Sequence, residues 1–365
     1  MDKLLFTPGP LTTSRTVKEK MLRDLGSRDT EFMTVIGEVR NGILKVAGTN
    51  KNEGWESVLI QGSGTFAIES VLSSAISESD KLLIISNGAY GKRMAKISRI
   101  HKISHFELSF PENQIPDIEK IINIVESSND FTHLAVVHCE TTTGILNPIE
   151  DIGKVARLYG LEYIVDAMSS FGAIPIDLNE CSVNYLISSS NKCIEGVPGF
   201  AFVIAKKESL LKTEGKARTL SLDLFNQWAE MERSGQFRFT PPVQIILAFK
   251  EALEELENEG GIEGRAARYK SNHRILLQGM TDMGFVPYIH PDYQSYIITA
   301  FLFPEQKNFN FNKMYNFLNE RNFVIYPGKL SETDTFRIGS IGRLNNQNIS
   351  DLLIAIEAYL DSINE

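Results

Sequence analysis

The residues of this sequence with the clearest chemical potential are a lysine, an aspartate and a glycine-rich turn, each placed shortly after a run of apolar residues. Lys192 lies in "YLISSSNKCIEGVPGFAFVIA", between two such runs. Asp166 ends the run "LEYIVD", and the turn "QGSGT", residues 61–65, follows "SVLI". A lysine amine can form a Schiff base with a carbonyl group, and a buried carboxylate needs a partner such as a protonated ring nitrogen.

Each of these segments also has a purely structural interpretation. Most lysines lie in exposed loops, and Lys192 is compatible with such a loop. Asp166 is suited to cap the helix after its strand, and "QGSGT" is suited to a tight turn between a strand and a helix. The arrangement of the strands and helices that carry these residues must therefore decide between a chemical and a structural role.

Six short apolar runs predict the strands that carry these residues. Each run is continuous rather than alternating, which is typical of strands covered on both faces in a mostly parallel sheet. The chain is therefore predicted to be an α/β protein. The runs are "SVLI" (57–60), "KLLIIS" (81–86), "HLAVVH" (133–138), "LEYIVD" (161–166), "NYLIS" (184–188) and "FAFVIA" (200–205).

The carboxyl ends of parallel strands meet at one edge of a sheet, so the residues that follow the runs should converge on one site. Backbone N–H groups of the turn at 61–65, with the hydroxyls of Ser63 and Thr65, would form an anion cradle at the positive end of the next helix. A phosphate cradle, a carboxylate for a ring nitrogen and a lysine are the three contacts that pyridoxal phosphate needs. The joint pattern therefore favours this cofactor and a role for Asp166 and Lys192.

A nicotinamide or flavin enzyme is the main alternative for the glycine-rich turn. Gly62, Gly64 and Ala67 match the GxGxxA dinucleotide fingerprint. That fingerprint requires an acidic residue at the end of the next strand, but this strand ends in "SN", and Asp80 lies before it. The dinucleotide interpretation is therefore disfavoured.

A long predicted helix marks a change of domain. After "TPPV" comes "QIILAFKEALEELENEGG", in which Gly260 and Gly261 end the helical pattern. We predict a large α/β domain over residues 15–250. We predict a smaller α+β domain over residues 251–365, together with the N-terminal segment 1–14.

The composition disfavours several kinds of binding partner and cellular location. The 365 residues include 37 basic and 46 acidic side chains, a net charge of −9, and no basic run suited to nucleic acid. Cys139, Cys181 and Cys193 are an odd count without metal-ligand spacing, so neither a disulfide framework nor a metal site is predicted. The start breaks its apolar run at Pro8, and no run approaches the ~20 apolar residues that span a bilayer. A cytoplasmic protein is expected.

With these residues identified, the chain resembles the fold-type I, class V aminotransferases from residue 5 to about residue 342. The resemblance implies a mostly parallel sheet in a large domain, a smaller C-terminal domain, and pyridoxal phosphate as the cofactor. The segments that carry it are "LFTPGPLTTSRTVKEKML", "LIQGSGTFAIESVL", "SNGAYGKRM", "VHCETTTGILNPI", "YIVDAMSSFGAIP", "YLISSSNKCIEGVPGFAFVIA", "LSLDLF", "RFTPPV", "FVIYPGKL" and "FRIGSIG".

The resemblance also implies a role for each cofactor contact. Lys192 would form the Schiff base, Asp166 would keep the pyridine nitrogen protonated, and Ser63, Gly64 and Thr65 would bind the phosphate. Two further contacts and one from a second subunit complete the implied set. They are Tyr90, stacked on the pyridine face, Thr141, hydrogen-bonded to the cofactor, and Thr240, which reaches the cofactor phosphate of the partner in a homodimer.

Substrate recognition is implied for Arg337 in "FRIG", because a guanidinium suits either a carboxylate or a phosphonate. Without the resemblance, an interdomain or surface salt bridge would explain Arg337 as well. Arg28 is either a second anion contact or a surface charge. Phe237 stands where relatives acting on glyoxylate often have tyrosine, and His138 is either a core histidine or a cofactor contact.

The segments "TTSRTVKEKM" and "SNKCIEGVPGF" resemble the phosphonate branch of the family. This branch implies transfer of the amino group of 2-aminoethylphosphonate to pyruvate by a ping-pong mechanism. The alternative within the family is a transaminase of the alanine or serine and glyoxylate type. A cysteine desulfurase is disfavoured because Cys193 directly follows Lys192, and a non-enzymatic cofactor carrier would not need Arg337.

Overall fold

The computed structural model describes residues 2–128, 130–306, 308–328 and 333–364. The last two residues of the segment "FVIYPGKL" lie outside the described residues. A central seven-stranded sheet contains all six predicted apolar runs. Its strands, in chain order, are β1 Trp55–Gln61, β2 Leu82–Ser86, β3 His105–Ser109, β4 His133–Val137, β5 Glu162–Asp166, β6 Tyr185–Ser189 and β7 Phe200–Lys206.

The order of strands across this sheet is β1, β7, β6, β5, β4, β2, β3. All neighbours are parallel except β7, which is antiparallel to both β1 and β6. The α/β prediction is therefore confirmed. Strand β3 was missed because it lies at the edge of the sheet, where its side chains are only partly buried and no continuous apolar run is needed.

Helices cover both faces of the sheet, which explains the continuous apolar runs. Val165 packs in one buried cluster with the helix Thr30–Val46, whereas Ile164 packs in another with the helix Gly64–Ala75. No helix of the described chain is long and apolar enough to span a bilayer. The helices are Arg15–Glu19, Thr30–Val46, Gly64–Ala75, Ala89–Ile100, Ile118–Ser128, Ile149–Leu158, Lys207–Leu211, Leu224–Ser234, Val243–Asn258, Gly261–Asp282, Phe311–Glu320 and Asn346–Asn364.

The C-terminal part has its own small sheet and core. In that sheet Thr335–Gly339 lies between Ile298–Leu302 and Tyr326–Pro327, and both pairings are antiparallel. The rings of Phe285, Phe301 and Phe336 pack together in its core, with centroids 5.4 to 6.4 Å apart.

The N-terminal segment joins this C-terminal core. Leu4–Leu5 pairs in parallel with Phe323–Val324, and Phe6 is buried in the same cluster as Phe336. The predicted domain boundary at residues 250 and 251 falls within the helix Val243–Asn258. The division into two domains stays a prediction.

Substitution of two helical glycines by alanine is expected to change the stability of the protein in opposite directions. A Cβ atom at Gly153 would collide with the backbone oxygen of Cys181 and lie 3.2 Å from the ring of Tyr163 in β5, whereas a Cβ at Gly37 would meet nothing within 4 Å. We expect Gly153→Ala to destabilise the protein by about 1–3 kcal/mol through overpacking. We expect Gly37→Ala to stabilise it by roughly 0.5–1 kcal/mol, because alanine favours a helix.

The measurement is the free energy of unfolding in urea for both variants and the wild type. Equal stabilities of the two variants would contradict the close packing of the helix Ile149–Leu158 against β5.

Candidate active site

The carboxyl ends of the parallel strands enclose a cavity of about 190 Å³. Its walls come from the segments after β1, β2, β4, β5 and β6, as the sheet predicts. Six of the residues predicted from the sequence line it together: Ser63, Gly64, Thr65, Tyr90, Asp166 and Lys192.

The glycine-rich turn places the start of a helix at the cavity wall. Gly62 has a left-handed φ of 106°, and the helix Gly64–Ala75 begins two residues later without a capping side chain among the described residues. A Cβ atom at Gly64 would collide with the side chain of Met168, so the helix start packs closely against this methionine. Unpartnered N–H groups and the helix dipole make this end of the cavity attractive to an anion.

Asp166 is a buried carboxylate at the end of β5. Its Oδ1 accepts a hydrogen bond from the backbone N–H of Met168 at 2.9 Å. Burial raises the pKa of Asp166 to about 6, although the Met168 N–H and the charges of Arg93 and Lys192 oppose the shift. A cation beside the carboxylate, such as a protonated ring nitrogen, would stabilise the ionised form and bring the pKa down again.

Lys192 lies beneath the N-terminal segment. Its Nζ donates a hydrogen bond to the carbonyl oxygen of Pro8 at 2.6 Å. A Cβ atom at Gly9 would lie 2.6 Å from the same Nζ, so the glycine of "TPGP" makes room for the lysine. Burial lowers the pKa of the Lys192 amine to about 8, which raises its neutral, nucleophilic fraction at physiological pH.

Tyr90 enters the cavity from the first turn of the helix Ala89–Ile100. Its backbone N–H donates to Oε1 of the buried Glu140 at 2.8 Å, which anchors this turn. Burial raises the pKa of Glu140 to about 8. One helical turn later, the guanidinium of Arg93 lies 4.7 Å from the centroid of the Tyr90 ring and donates to Oγ1 of Thr65 at 3.1 Å.

Arg337 and Thr141 lie next to each other, but neither is among the described residues that line the cavity. The buried Arg337 donates from Nη1 to the carbonyl oxygen of Thr141 at 2.9 Å and from Nε to that of Pro327 at 3.0 Å. Burial lowers the pKa of the guanidinium. Thr141 therefore contributes its backbone to the orientation of Arg337, an arrangement that the sequence did not indicate.

Other candidates lie away from the cavity walls. Thr240 and Arg28 are exposed, and Phe237 is buried. His138 is buried, and its Nδ1 has no hydrogen-bond partner among the described residues. Because burial lowers the pKa of His138 to about 3, its ring is neutral at physiological pH.

The polar cavity residues that were not identified from the sequence are Arg93, Ser169, Ser189 and Asn191. The signal for Arg93 was its position one helical turn after Tyr90, and the signal for Ser189 was its position at the end of β6. The hydroxyl of Ser189 is buried without a partner among the described residues.

The residues present fit pyridoxal phosphate. The cavity combines a lysine, a buried carboxylate, a helix start that no described side chain caps, and the hydroxyl of Ser189, which has no partner among the described residues. They do not suggest a metal, since the described part of the chain contains no group of three or more His, Cys, Asp or Glu side chains arranged to hold one.

Two relatives of similar sequence have the same name. A 2-aminoethylphosphonate–pyruvate transaminase of Phocaeicola vulgatus is 46% identical over 356 residues, which cover 97% of this chain and 98% of that protein. A 2-aminoethylphosphonate–pyruvate transaminase of Bacillus cereus is 49% identical over 354 residues, which cover 97% and 96%.

Solved structures share the fold at lower identity. An alanine–glyoxylate aminotransferase from Nostoc sp. superposes with a TM-score of 0.90 at 24% identity, over 99% of this chain and 96% of that one. A pyridoxamine–pyruvate aminotransferase from Mesorhizobium loti gives a TM-score of 0.90 at 23% identity, over 100% and 94%. The fold-type I architecture predicted from the sequence is therefore confirmed.

The family model described as aminotransferase class V matches residues 13–341, which is most of the chain. This match agrees with the relatives of similar sequence and with the shared fold. The chain belongs to the class V aminotransferases.

Proposed function

We propose that this protein transfers the amino group of 2-aminoethylphosphonate to pyruvate, giving phosphonoacetaldehyde and L-alanine. The observation that carries the proposal is the meeting of Lys192 and Asp166 in one cavity beside an anion-binding helix start. The names of relatives that match nearly the whole chain support the substrates. Pyridoxal phosphate, when bound, supplies an electron sink for the pair of electrons released when the substrate's C–H bond breaks.

In this proposal the walls of the cavity hold the cofactor. Lys192 would bind it covalently, and the N–H groups of Ser63, Gly64 and Thr65, with the hydroxyls of Ser63 and Thr65, would hold its phosphate. The ring of Tyr90 would cover one face, and Thr141, which is not among the described residues that line the cavity, is proposed to supply a hydrogen bond from its hydroxyl. Asp166 remains ionised beside the ring nitrogen and keeps that nitrogen protonated, which strengthens the electron sink.

Lys192 also moves the proton in this proposal. With cofactor and substrate bound, the amine of Lys192 would serve as the base of the cavity. With a pKa lowered to about 8, the Nζ is partly neutral near pH 7 and can remove a proton from the amine-bearing carbon. Both substrates use this one site in turn, which gives ping-pong kinetics.

Arg337 binds the acidic group of each substrate in this proposal. Two of its five N–H groups donate to the carbonyl oxygens of Thr141 and Pro327, which leaves three without a partner among the described residues. The two carbonyls fix the plane of the guanidinium, so the remaining donors point in a defined direction. A phosphonate and a carboxylate can both accept such a pair of hydrogen bonds.

A homodimer is part of the proposal because Thr240 is exposed in this chain. The side chain of Gln61 donates to the carbonyl oxygens of Phe239 and Thr240 at 3.2 and 3.3 Å, so this segment lies beside the anion-binding turn. Phe66 and Phe239 expose 49% and 43% of their surface there, which suits a subunit interface. Thr240 would reach the cofactor phosphate of the partner subunit.

A cytoplasmic location is also proposed. Cys139, Cys181 and Cys193 are buried free thiols, which suit a reducing compartment.

The first prediction concerns activity. Purified protein with pyridoxal phosphate, 2-aminoethylphosphonate and pyruvate should form L-alanine, measured in a coupled assay. Lys192→Ala should lower kcat by at least ~100-fold, because it removes the proton-transfer group. Lys45→Ala, which changes an exposed lysine paired with Glu257, is the matched control and should stay active. Faster turnover of alanine or serine with glyoxylate would instead favour the alternative transaminase.

The second prediction concerns pH. A neutral amine attacks an aldehyde, so the rate of cofactor uptake by the cofactor-free protein should rise with pH and level off above about pH 8, where Lys192 is deprotonated. Stopped-flow absorbance from pH 6 to pH 10 measures this rate. A rise that continues to pH 10 would show that the pKa of Lys192 is not lowered.

The third prediction tests the dimer. At low cofactor concentration, the Thr240→Ala variant should have weakened activity and the Lys192→Ala variant none. Combining the two chains in mixed dimers should restore activity. One site in such a dimer has Lys192 from one chain and Thr240 from the other. Light scattering confirms the dimer, and each variant alone is the control. No gain on mixing would mean that Thr240 does not act across the interface.

A further inference from the structure

Glu195 occupies an unusual position three residues after Lys192. It is buried and has a left-handed φ of 65°, which residues other than glycine rarely adopt. Its backbone N–H donates to the carbonyl oxygen of Lys192 at 2.7 Å. The backbone of Glu195 therefore closes the turn that carries Lys192. Contacts from outside the turn must stabilise the left-handed conformation of Glu195.

The side chain of Glu195 supplies that hold. Its Oε1 accepts from the Tyr269 hydroxyl at 2.5 Å and from Arg268 Nη2 at 2.8 Å, and Arg265 Nη1 lies 3.6 Å away. All three partners belong to the helix Gly261–Asp282. The turn that carries the lysine is thus tied by one carboxylate oxygen to a helix outside the central sheet.

Two further contacts extend this network. Arg265 donates from Nη1 to the carbonyl oxygen of Cys193 at 2.5 Å, which holds the residue next to Lys192. The Tyr269 hydroxyl accepts from the N–H of Gly342 at 3.2 Å, shortly after the strand that carries Arg337. The same side chains therefore contact the lysine turn and the segment that follows Arg337.

A buried ionic network is an inefficient way to stabilise a fold, because desolvation offsets much of the attraction between the charges. It does fix direction, since charge-assisted hydrogen bonds are strongly oriented. We propose that Glu195 is a positioning residue. It sets the location of the Lys192 amine and keeps the distance between this amine and Arg337 constant. This inference rests on the proposed function, which makes Lys192 the proton-transfer group.

The geometry needed for proton transfer makes such a role sensitive to small shifts. A displacement of about 1 Å in a reacting group can cost on the order of 100-fold in rate. Without the Glu195 side chain the left-handed turn loses its external hold, and Lys192 can move relative to the cofactor and substrate.

The test compares Glu195→Ala with Glu259→Ala in the enzyme loaded with pyridoxal phosphate. Glu259 is a matched control because it binds the same two arginines, with both N–O distances at 2.6 Å, but does not contact the lysine turn. The readouts are kcat, KM for 2-aminoethylphosphonate, the unfolding temperature, and the pH at which the absorbance of the lysine-bound cofactor changes.

We expect both variants to lower the unfolding temperature, because each leaves buried guanidinium charge uncompensated. Only Glu195→Ala should lower kcat, by about 10- to 100-fold, and shift the pH midpoint of the absorbance change. Glu195→Gln keeps an acceptor oxygen and should recover part of the lost kcat. Equal effects of Glu195→Ala and Glu259→Ala on kcat and midpoint, or no recovery in Glu195→Gln, would overturn the proposal.

Tyr269→Phe decides the question if Glu195→Ala does not fold, because it removes only the hydroxyl that joins Glu195 to Gly342. A lowered kcat with a shifted midpoint supports the positioning role, and wild-type values of both overturn it. The absorbance midpoint does not depend on the substrate. If the wild-type enzyme fails to use 2-aminoethylphosphonate, the proposed function fails, whereas the midpoints of the variants still test the role of Glu195.

Discussion

The site depends on the in-register parallel pairing of β4, β5 and β6. Asp166 is paired with Val137 on one side and Ile187 on the other, so β4 and β5 end at the same level of the sheet and β6 ends two residues further on, at Ser189. The chain turns after each of these strands. Polar side chains that follow the strands therefore lie beyond the helix-covered, apolar faces of the sheet. Lys192, five residues after Ile187, therefore reaches the same cavity as Asp166. A shift of one residue in this register would turn Asp166 to the other face of the sheet.

Burial in this cavity affects its two charged groups in opposite directions. It raises the pKa of Asp166 to about 6 and lowers that of Lys192 to about 8, so both groups move toward their neutral forms. Because burial has already removed hydration from both groups, binding a specific partner costs each of them little further desolvation. In the proposed function, a cofactor with a basic ring nitrogen and an aldehyde would satisfy both at once. The desolvation that makes these residues costly for the fold is thus the property that prepares them for chemistry.

Much of the fold could be predicted from the sequence because most strands of the central sheet are buried on both faces, which leaves a continuous apolar run for each. The edge strand His105–Ser109 lacks this signal and was missed. Within the site, the sequence indicated residues at the ends of strands, such as Asp166 and Lys192. It did not indicate Arg93, whose approach to Thr65 depends on how two helices pack. The two carbonyls that orient Arg337 come from segments far apart in the chain, and no local pattern reports such a contact.

The N-terminal segment shows why the site needs more than the central sheet. The carbonyl oxygen of Phe6 accepts a hydrogen bond from the N–H of Gly339, at the end of the strand that carries Arg337. Two residues further on, the carbonyl oxygen of Pro8 accepts from Lys192 Nζ. One short stretch of chain, Phe6 to Pro8, thus contacts both the lysine and the arginine strand. Since the lysine belongs to the large sheet and the arginine to the small one, this stretch and the Glu195 network are two independent constraints on the distance between them. In the proposed function, a substrate with an amine at one end and an acidic group at the other would require that distance to be constant.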